Sequence, residues 1–174
     1  MIIKTKNFIL RPYKRGDEFS LFKNINNKEI SRNMLDVTYP YTIKIARDLV
    51  ERKIKEAKMK KPIALSFVIE TRGELAGGIT IDLKPFRAAE ISIWLGKDHR
   101  GKGIATLATR AVTDYCFKKL KLVRIYSLIF PFNGTSIRVI EKAGYKYEGR
   151  LRKSSQRLSR GKFYDDLLYA KVKE

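Results

Sequence analysis

Residues His99-Arg100-Gly101-Lys102-Gly103-Ile104-Ala105-Thr106 have the make-up of an anion cradle that opens a helix. The first turn of a helix carries N–H groups with no intrahelical partner and the positive end of the helix dipole. Gly101 and Gly103 take away the Cβ atoms that would hold a ligand off that backbone, while Arg100 and Lys102 add charge. Such a turn suits a phosphate or a diphosphate. It is not a P-loop, because no G-x-x-x-x-G-K-[ST] run is present; nor is it a dinucleotide fingerprint, because Thr106 stands where a third glycine is required. A solvated basic turn would have the same letters, so the neighbouring segments have to decide.

Glu90 is the candidate general base. In Ala89-Glu90-Ile91-Ser92-Ile93-Trp94-Leu95 the alternation of a strand puts Glu90, Ser92 and Trp94 on one face and Ile91, Ile93 and Leu95 on the core face. A carboxylate beside an aromatic ring on a cleft wall can take a proton directly or through a water. The competing role is a surface ion pair in a cation-rich chain. Cys116 falls one turn after Val112 on the apolar side of its helix, which marks it as core rather than nucleophile. His99 is the single histidine and has no second ligand type beside it, so no metal site is expected.

These residues need a strand, a turn and a helix in succession. Ile104, Leu107, Ala108, Ala111, Val112 and Tyr115 have helical spacing, predicting a helix from about Gly101 to Leu120. Val123 to Phe130 reads as the next strand and Asn133 to Ala143 as a helix ended by Gly144. Before the cradle come a strand over Phe8 to Arg11 and a helix within Lys14 to Asn26. A short helix over Lys28 to Asn33 and a loop from Leu35 to Thr42 follow. Thr42 reads as the cap of a helix running to about Lys60. Ala64 to Glu70 and Leu75 to Leu83 read as a hairpin, Ala88 to Leu95 as the strand feeding the cradle. Tyr145 to Arg157 and Phe163 to Val172 form a last hairpin, turning near Arg160-Gly161. The order is mixed α/β on a twisted sheet, and the strand–helix–strand unit around the cradle should be parallel. No linker or repeat interrupts it, so residues 1–174 are expected to form a single domain.

Arg-Gly-Lys-Gly-Ile-Ala after a strand resembles the acyl-coenzyme A diphosphate loop of the GNAT superfamily of N-acetyltransferases. Phe132-Asn133-Gly134-Thr135-Ser136-Ile137-Arg138-Val139-Ile140-Glu141-Lys142-Ala143-Gly144-Tyr145 resembles that family's N-x-x-S-x-x-x-x-E-K-x-G-[FY] segment. Phe8-Ile9-Leu10-Arg11-Pro12, Tyr147-Glu148-Gly149-Arg150-Leu151-Arg152 and Arg160-Gly161-Lys162-Phe163-Tyr164-Asp165-Asp166 extend the likeness toward the Rim-type branch, the ribosomal-protein N-terminal acetyltransferases. The resemblance implies a mostly antiparallel twisted sheet with helices on both faces and a central parallel strand pair that splays. It implies acetyl-CoA as the cofactor, bound by the main chain of Arg100 to Thr106, by the strand at Ile93, Trp94 and Leu95, and by Asn133 and Ser136. It also implies direct transfer to an amine, with Glu90 as base and Ser136 as the acid at the departing thiolate. Other branches place a tyrosine where this chain has Ile140; Tyr145 is a weaker stand-in that suits the core. Tyr39, Tyr41, Trp94 and Tyr164 are the residues implied at the acceptor cleft, with Asp166 flanking it. Capping alone would also account for Asn133, and a bond back to the helix for Ser136.

Neutral amines attack, and an α-amino group titrates near ~8 against ~10.4 for lysine, so a lysine costs about 3 kcal/mol more to deprotonate at neutral pH. A site with a weak base therefore suits a protein N-terminus. The net charge of +20 draws anions such as coenzyme A and repels polycations. A polyamine or small-molecule acetyltransferase is the first alternative, provided that acidic residues such as Glu29, Asp36 and Glu51 gather at the mouth. A non-catalytic basic protein bound to RNA or the ribosome is the second, although no RRM, KH or zinc motif is present. A charged, solvating surface explains the charge as simply. A lone cysteine precludes an internal disulfide, and no apolar run is long enough to span a bilayer. With no signal-peptide pattern, the expectation is a cytoplasmic protein without membrane attachment, and a homodimer is left open.

Overall fold

A computed structural model describes residues 2–156 and 161–174. Its strands are β1 (Ile3–Lys4), β2 (Ile9–Arg11), β3 (Ala64–Thr71), β4 (Glu74–Lys84), β5 (Ala88–Leu95), β6 (Arg124–Ile129), β7 (Lys146–Gln156) and β8 (Phe163–Val172). Its helices are α1 (Asp17–Ile25), α2 (Lys28–Asn33), α3 (Ile43–Glu56), α4 (Ile104–Lys118) and α5 (Gly134–Lys142), with a 3-10 turn at Lys97–His99. The strands form one sheet in the order β1-β2-β3-β4-β5-β6-β8-β7. Every neighbouring pair is antiparallel except β5 with β6.

Alternation along the strands makes two cores. Phe67 and Ile69 of β3 join Ile91, Ile125, Ala108, Val112 and Ile140 on the face covered by α4 and α5. Val68, between them, joins Leu21, Ile25, Ile30, Ala46 and Val50 on the face covered by α1 to α3. Helix ends follow local chemistry. The Thr42 side chain accepts the Ile45 N–H at 3.3 Å, and Asn27 caps α2 by accepting from Glu29 and Ile30. Gly144, at φ 90°, lets the chain turn out of α5.

Arg11 accounts for the basic residue before Pro12. Its guanidinium, 10% exposed, donates to both oxygens of Asp17 at the start of α1 (2.8 and 2.7 Å) and to Glu70 of β3. This network locks the first helix to the sheet.

Most expected elements are present with shifted ends. The helix expected from Gly101 begins at Ile104, because Gly101 and Gly103 both take left-handed backbone (φ 76° and 72°) that no α-helix contains. The helix expected to reach Lys60 stops at Glu56, ahead of Pro62. Strand β1 was not expected; it pairs with β2 across a short local turn, but its two residues are too few to carry a periodicity of their own. Of the last hairpin, Arg157 to Arg160 lie outside the described residues, so the turn expected near Arg160-Gly161 is described only from Gly161 onward.

Candidate active site

The parallel pair β5–β6 is joined only at Ala88–Arg124, Ala89–Ile125 and Glu90–Tyr126. Beyond Glu90, β5 continues to Leu95 paired with β4 alone, and β6 continues to Ile129 paired with β8 alone. The strands part, leaving the β6-facing edge of Ile91 to Leu95 with main-chain groups free to pair with an extended ligand. The glycine turn stands at the end of that open edge.

The turn has the geometry of an anion nest. The first bond of the α4 ladder runs from Leu107 N–H to the Gly103 carbonyl, so the N–H groups of Ile104, Ala105 and Thr106 have no main-chain partner among the described residues. Those of Gly101, Lys102 and Gly103 are likewise free of main-chain partners. A Cβ at Gly101 or Gly103 would meet nothing within 4 Å, so the glycines serve backbone shape and open approach rather than tight packing. Two expected donors are placed differently. The Arg100 N–H is engaged by Lys97 at 3.2 Å, because the 3-10 turn ends there. The Arg100 guanidinium donates to the Leu95 carbonyl at 3.0 Å and to Glu29 of α2 at 2.8 Å. Lys102 reaches back to the Asp98 carbonyl, and His99 Nδ1 meets Thr71 Oγ1 at 3.1 Å. Burial holds the His99 ring below the usual imidazole range, with Lys102 adding to it.

Glu90 sits where the strands begin to part. Its side chain is 29% exposed and lies 3.6 Å from Lys84, with Tyr126 as its register partner on β6. Burial pushes its carboxyl up; Lys84 opposes this, while Asp82 and Asp166 add to it. Ala89, Ile91 and Ile125 face the α4 core, so Glu90, Trp94 and Tyr126 point to the other side of the sheet. Trp94 packs against the α1–α3 core, whereas Ser92 stays exposed. Gly78 makes room for that indole: a Cβ there would lie 2.7 Å from Trp94 Nε1 and 2.8 Å from the Tyr13 hydroxyl.

Asn133 caps α5, its Oδ1 accepting the Ser136 N–H at 3.2 Å, which leaves its amide N–H₂ group available. The Ser136 hydroxyl makes no bond back to its helix among the described residues, unlike Thr109, which donates to the Ala105 carbonyl at 2.9 Å. Tyr145 is buried and bonded to Thr113 at 2.7 Å, so it is core. Cys116 is fully buried, its thiol pushed up to about 12 by that burial.

The four aromatics expected at the cleft separate. Tyr164 packs tilted against Phe130 and edge-on to Phe132 (centroids 5.3 and 6.0 Å), beside the Arg32 guanidinium, 5.0 Å over Phe132. Tyr39 is exposed under Lys28. Tyr41 is a correction: at 3% exposure it is part of the α1–α3 core, with Asn26 accepting its N–H, and offers no face to an acceptor. Tyr126, Asp82 and the Phe130–Phe132 pair were missed. Their place beside Glu90 or Tyr164 follows from strand register and loop packing, for which one sequence gives no signal. Among the described residues, no group of His, Cys, Asp or Glu could hold a metal, and no helix is long and apolar enough to cross a membrane.

The family profile described as Acetyltransferase (GNAT) domain matches residues 7–146. Spermidine N(1)-acetyltransferase of Escherichia coli (strain K12) is 29% identical over 144 residues, 82% of this chain and 74% of its own. Among solved structures, the ribosomal L7/L12 alpha-N-protein acetyltransferase RimL in complex with coenzyme A superposes with a TM-score of 0.87 at 20% identity, covering 99% of this chain and 98% of that one. Mycobacterium smegmatis RimJ in complex with CoA-disulfide gives 0.81 at 27% identity, over 95% and 81%.

Proposed function

The chain belongs to the GNAT family of acetyltransferases, enzymes that use acetyl-CoA, and on that premise we propose that its acceptor is the α-amino group of a protein N-terminus, a ribosomal protein being the first class to test. The observation that carries this is the parting of β5 from β6 immediately after Glu90–Tyr126, which puts a half-buried carboxylate at the head of an open strand edge. The nest fits the diphosphate of the cofactor: successive N–H groups are free and no side chain crowds the glycines. The main chain of Gly101 to Thr106 would hold that end, with the β5 edge at Ile93, Trp94 and Leu95 and the Asn133 amide along the arm. Arg100 would join through its side chain once released from Glu29. When bound, acetyl-CoA supplies a thioester activated toward an amine.

Glu90 would take the proton from the incoming ammonium, directly or through a water, and its raised pKa brings it closer to that task than an ordinary carboxylate. Ser136 would donate to the leaving sulfur with a hydroxyl not spent on its own helix. Trp94 and Tyr164 would line the acceptor side, with Tyr39 at its rim. The half-buried base, weak even when raised, is matched to an α-amine rather than a lysine. The RimL and RimJ folds, the first that of a protein α-N-acetyltransferase, support the same acceptor class. Such work would place the enzyme in the cytoplasm.

A polyamine acceptor is the second reading. It is favoured by the spermidine acetyltransferase relative and by Asp82, the register partner of Glu90 on β4. Glu29, by contrast, is already neutralised by Arg100. Thiol release with peptides of varied N-terminal residue, lysine and spermidine separates the two. Turnover with spermidine and none with any peptide would overturn the N-terminal assignment.

A further inference from the structure

The β4–β5 connection makes a turn that its residues do not favour. Phe86 and Arg87 both take left-handed backbone, φ 59° and 57°, and the Ala88 N–H closes on the Pro85 carbonyl at 3.3 Å. Two successive positive φ angles mark a type I′ turn, whose usual residues are Asn and Gly. A phenylalanine there costs energy, and it packs on nothing: Phe86 is 94% exposed. A strained turn that holds an aromatic ring in water invites a function for the ring.

Its surroundings are cationic and come from separate parts of the chain. The Leu83 N–H donates to Ile63, which brings the run Lys58, Lys60 and Lys61 to the root of the turn. Arg87 Nε donates to the Lys121 carbonyl at 2.7 Å, and the Val123 N–H to the Arg87 carbonyl, which bring in Lys118 at the end of α4 and Lys119 and Lys121 after it. The Lys173 N–H donates to the Val123 carbonyl and adds one more lysine, followed by Glu174. Arg87 and Lys121 are thus held together next to the exposed aromatic ring, and the strands around it are bonded to segments that carry two further basic runs. This end of the sheet lies at the start of β5, away from the glycine turn that follows β5, so the anion that suits it is not the cofactor of the transfer site.

We propose that this end of the sheet is a contact for single-stranded RNA, Phe86 stacking on a base and Arg87, Lys121 and their neighbours holding the flanking phosphates. Aromatic rings among cations are how proteins grip unpaired nucleotides: the ring reads the π-face of any base, and the charges track the backbone. A chain of net charge +20 supplies the long-range attraction. The assignment does not depend on which amine the enzyme acetylates.

Fluorescence anisotropy with a labelled single-stranded RNA 12-mer over a salt series is the test. Phe86→Asn removes the ring and keeps a residue at ease with left-handed backbone. It should weaken binding about tenfold with little change in salt slope. Arg87→Glu with Lys121→Glu should weaken binding at least about tenfold and flatten the slope. Lys44→Glu with Arg47→Glu, on exposed positions of α3, makes the same change of charge elsewhere and should cost much less. All three proteins should melt cooperatively and keep the thermal shift that saturating acetyl-CoA gives the wild type, which verifies their fold. Equal losses from the two charge reversals, or no loss from Phe86→Asn, would overturn the proposal. So would variants that keep RNA but lose binding to vesicles of phosphatidylglycerol and phosphatidylcholine.

Discussion

Glu90 owes its character to being half-buried at the last joined pair of β5 and β6. Burial and the nearby Asp82 and Asp166 favour its protonated form, while Lys84 opposes them. The proposed base works only when deprotonated. On that proposal the active fraction grows as pH rises through a value above the ordinary 4.5, and kcat/KM should climb over that range. Glu90→Gln should lower kcat by about 100-fold or more and abolish this acid limb, as measured by initial rates across pH. If the limb persists in the glutamine variant, another group is the base. Cys116 gives a second, independent check. Fully buried, with its thiol pushed up to about 12, it should not react with a disulfide reagent until the protein unfolds. Thiol titration of native and denatured protein measures this, and the same result makes thiol release a clean assay of turnover.

Elements hold these residues through a few polar anchors and tight approaches. The nest exists because Gly103, the residue before α4, has φ 72°. A β-branched side chain there is strained by about 1–2 kcal/mol and pushes Cβ toward the ligand path. Gly103→Val should therefore lose the thermal shift that acetyl-CoA gives the wild type while the free protein still melts cooperatively; ligand at 100 times its Kd would otherwise add about 2.7 kcal/mol. A full shift in this variant would remove the nest from the binding site. Arg11 ties β2 to α1 and β3 through buried carboxylates. Arg11→Met strands Asp17, 4% exposed, without its partner, and should cost about 3–5 kcal/mol in a urea melt. A loss below about 1 kcal/mol would show that Lys14 or water replaces the guanidinium.

At the scale of the molecule, a net charge of +20 surrounds the proposed diphosphate nest. Such a field steers the ligand to its pocket, and salt screens it beyond about 10 Å at 0.1 M. kcat/KM for acetyl-CoA should fall several-fold between low and physiological salt, with kcat nearly constant. Salt-independent kcat/KM would mean that the excess charge serves other partners only. The same charge would disfavour spermidine unless carboxylates such as Asp82 and Asp166 screen the acceptor side.

Periodicity and turn chemistry, which are local, were legible in the sequence. The strand–glycine turn–helix unit, the faces of β5, the caps at Thr42 and Asn133 and the buried place of Cys116 all follow from residues close along the chain. Tyr41 looked like a cleft residue because a tyrosine in a loop carries no mark of which side will be covered; α1 and α3 close over it only in the folded chain. The partnership of Glu90 with Tyr126, the point where β5 leaves β6, the hold of Glu29 on Arg100 and the joining of Arg87 to Lys121 beside Phe86 were decided by tertiary structure alone. Each joins segments whose spacing in sequence says nothing of their distance in space, since strand register and helix docking are settled by the packing of the whole core.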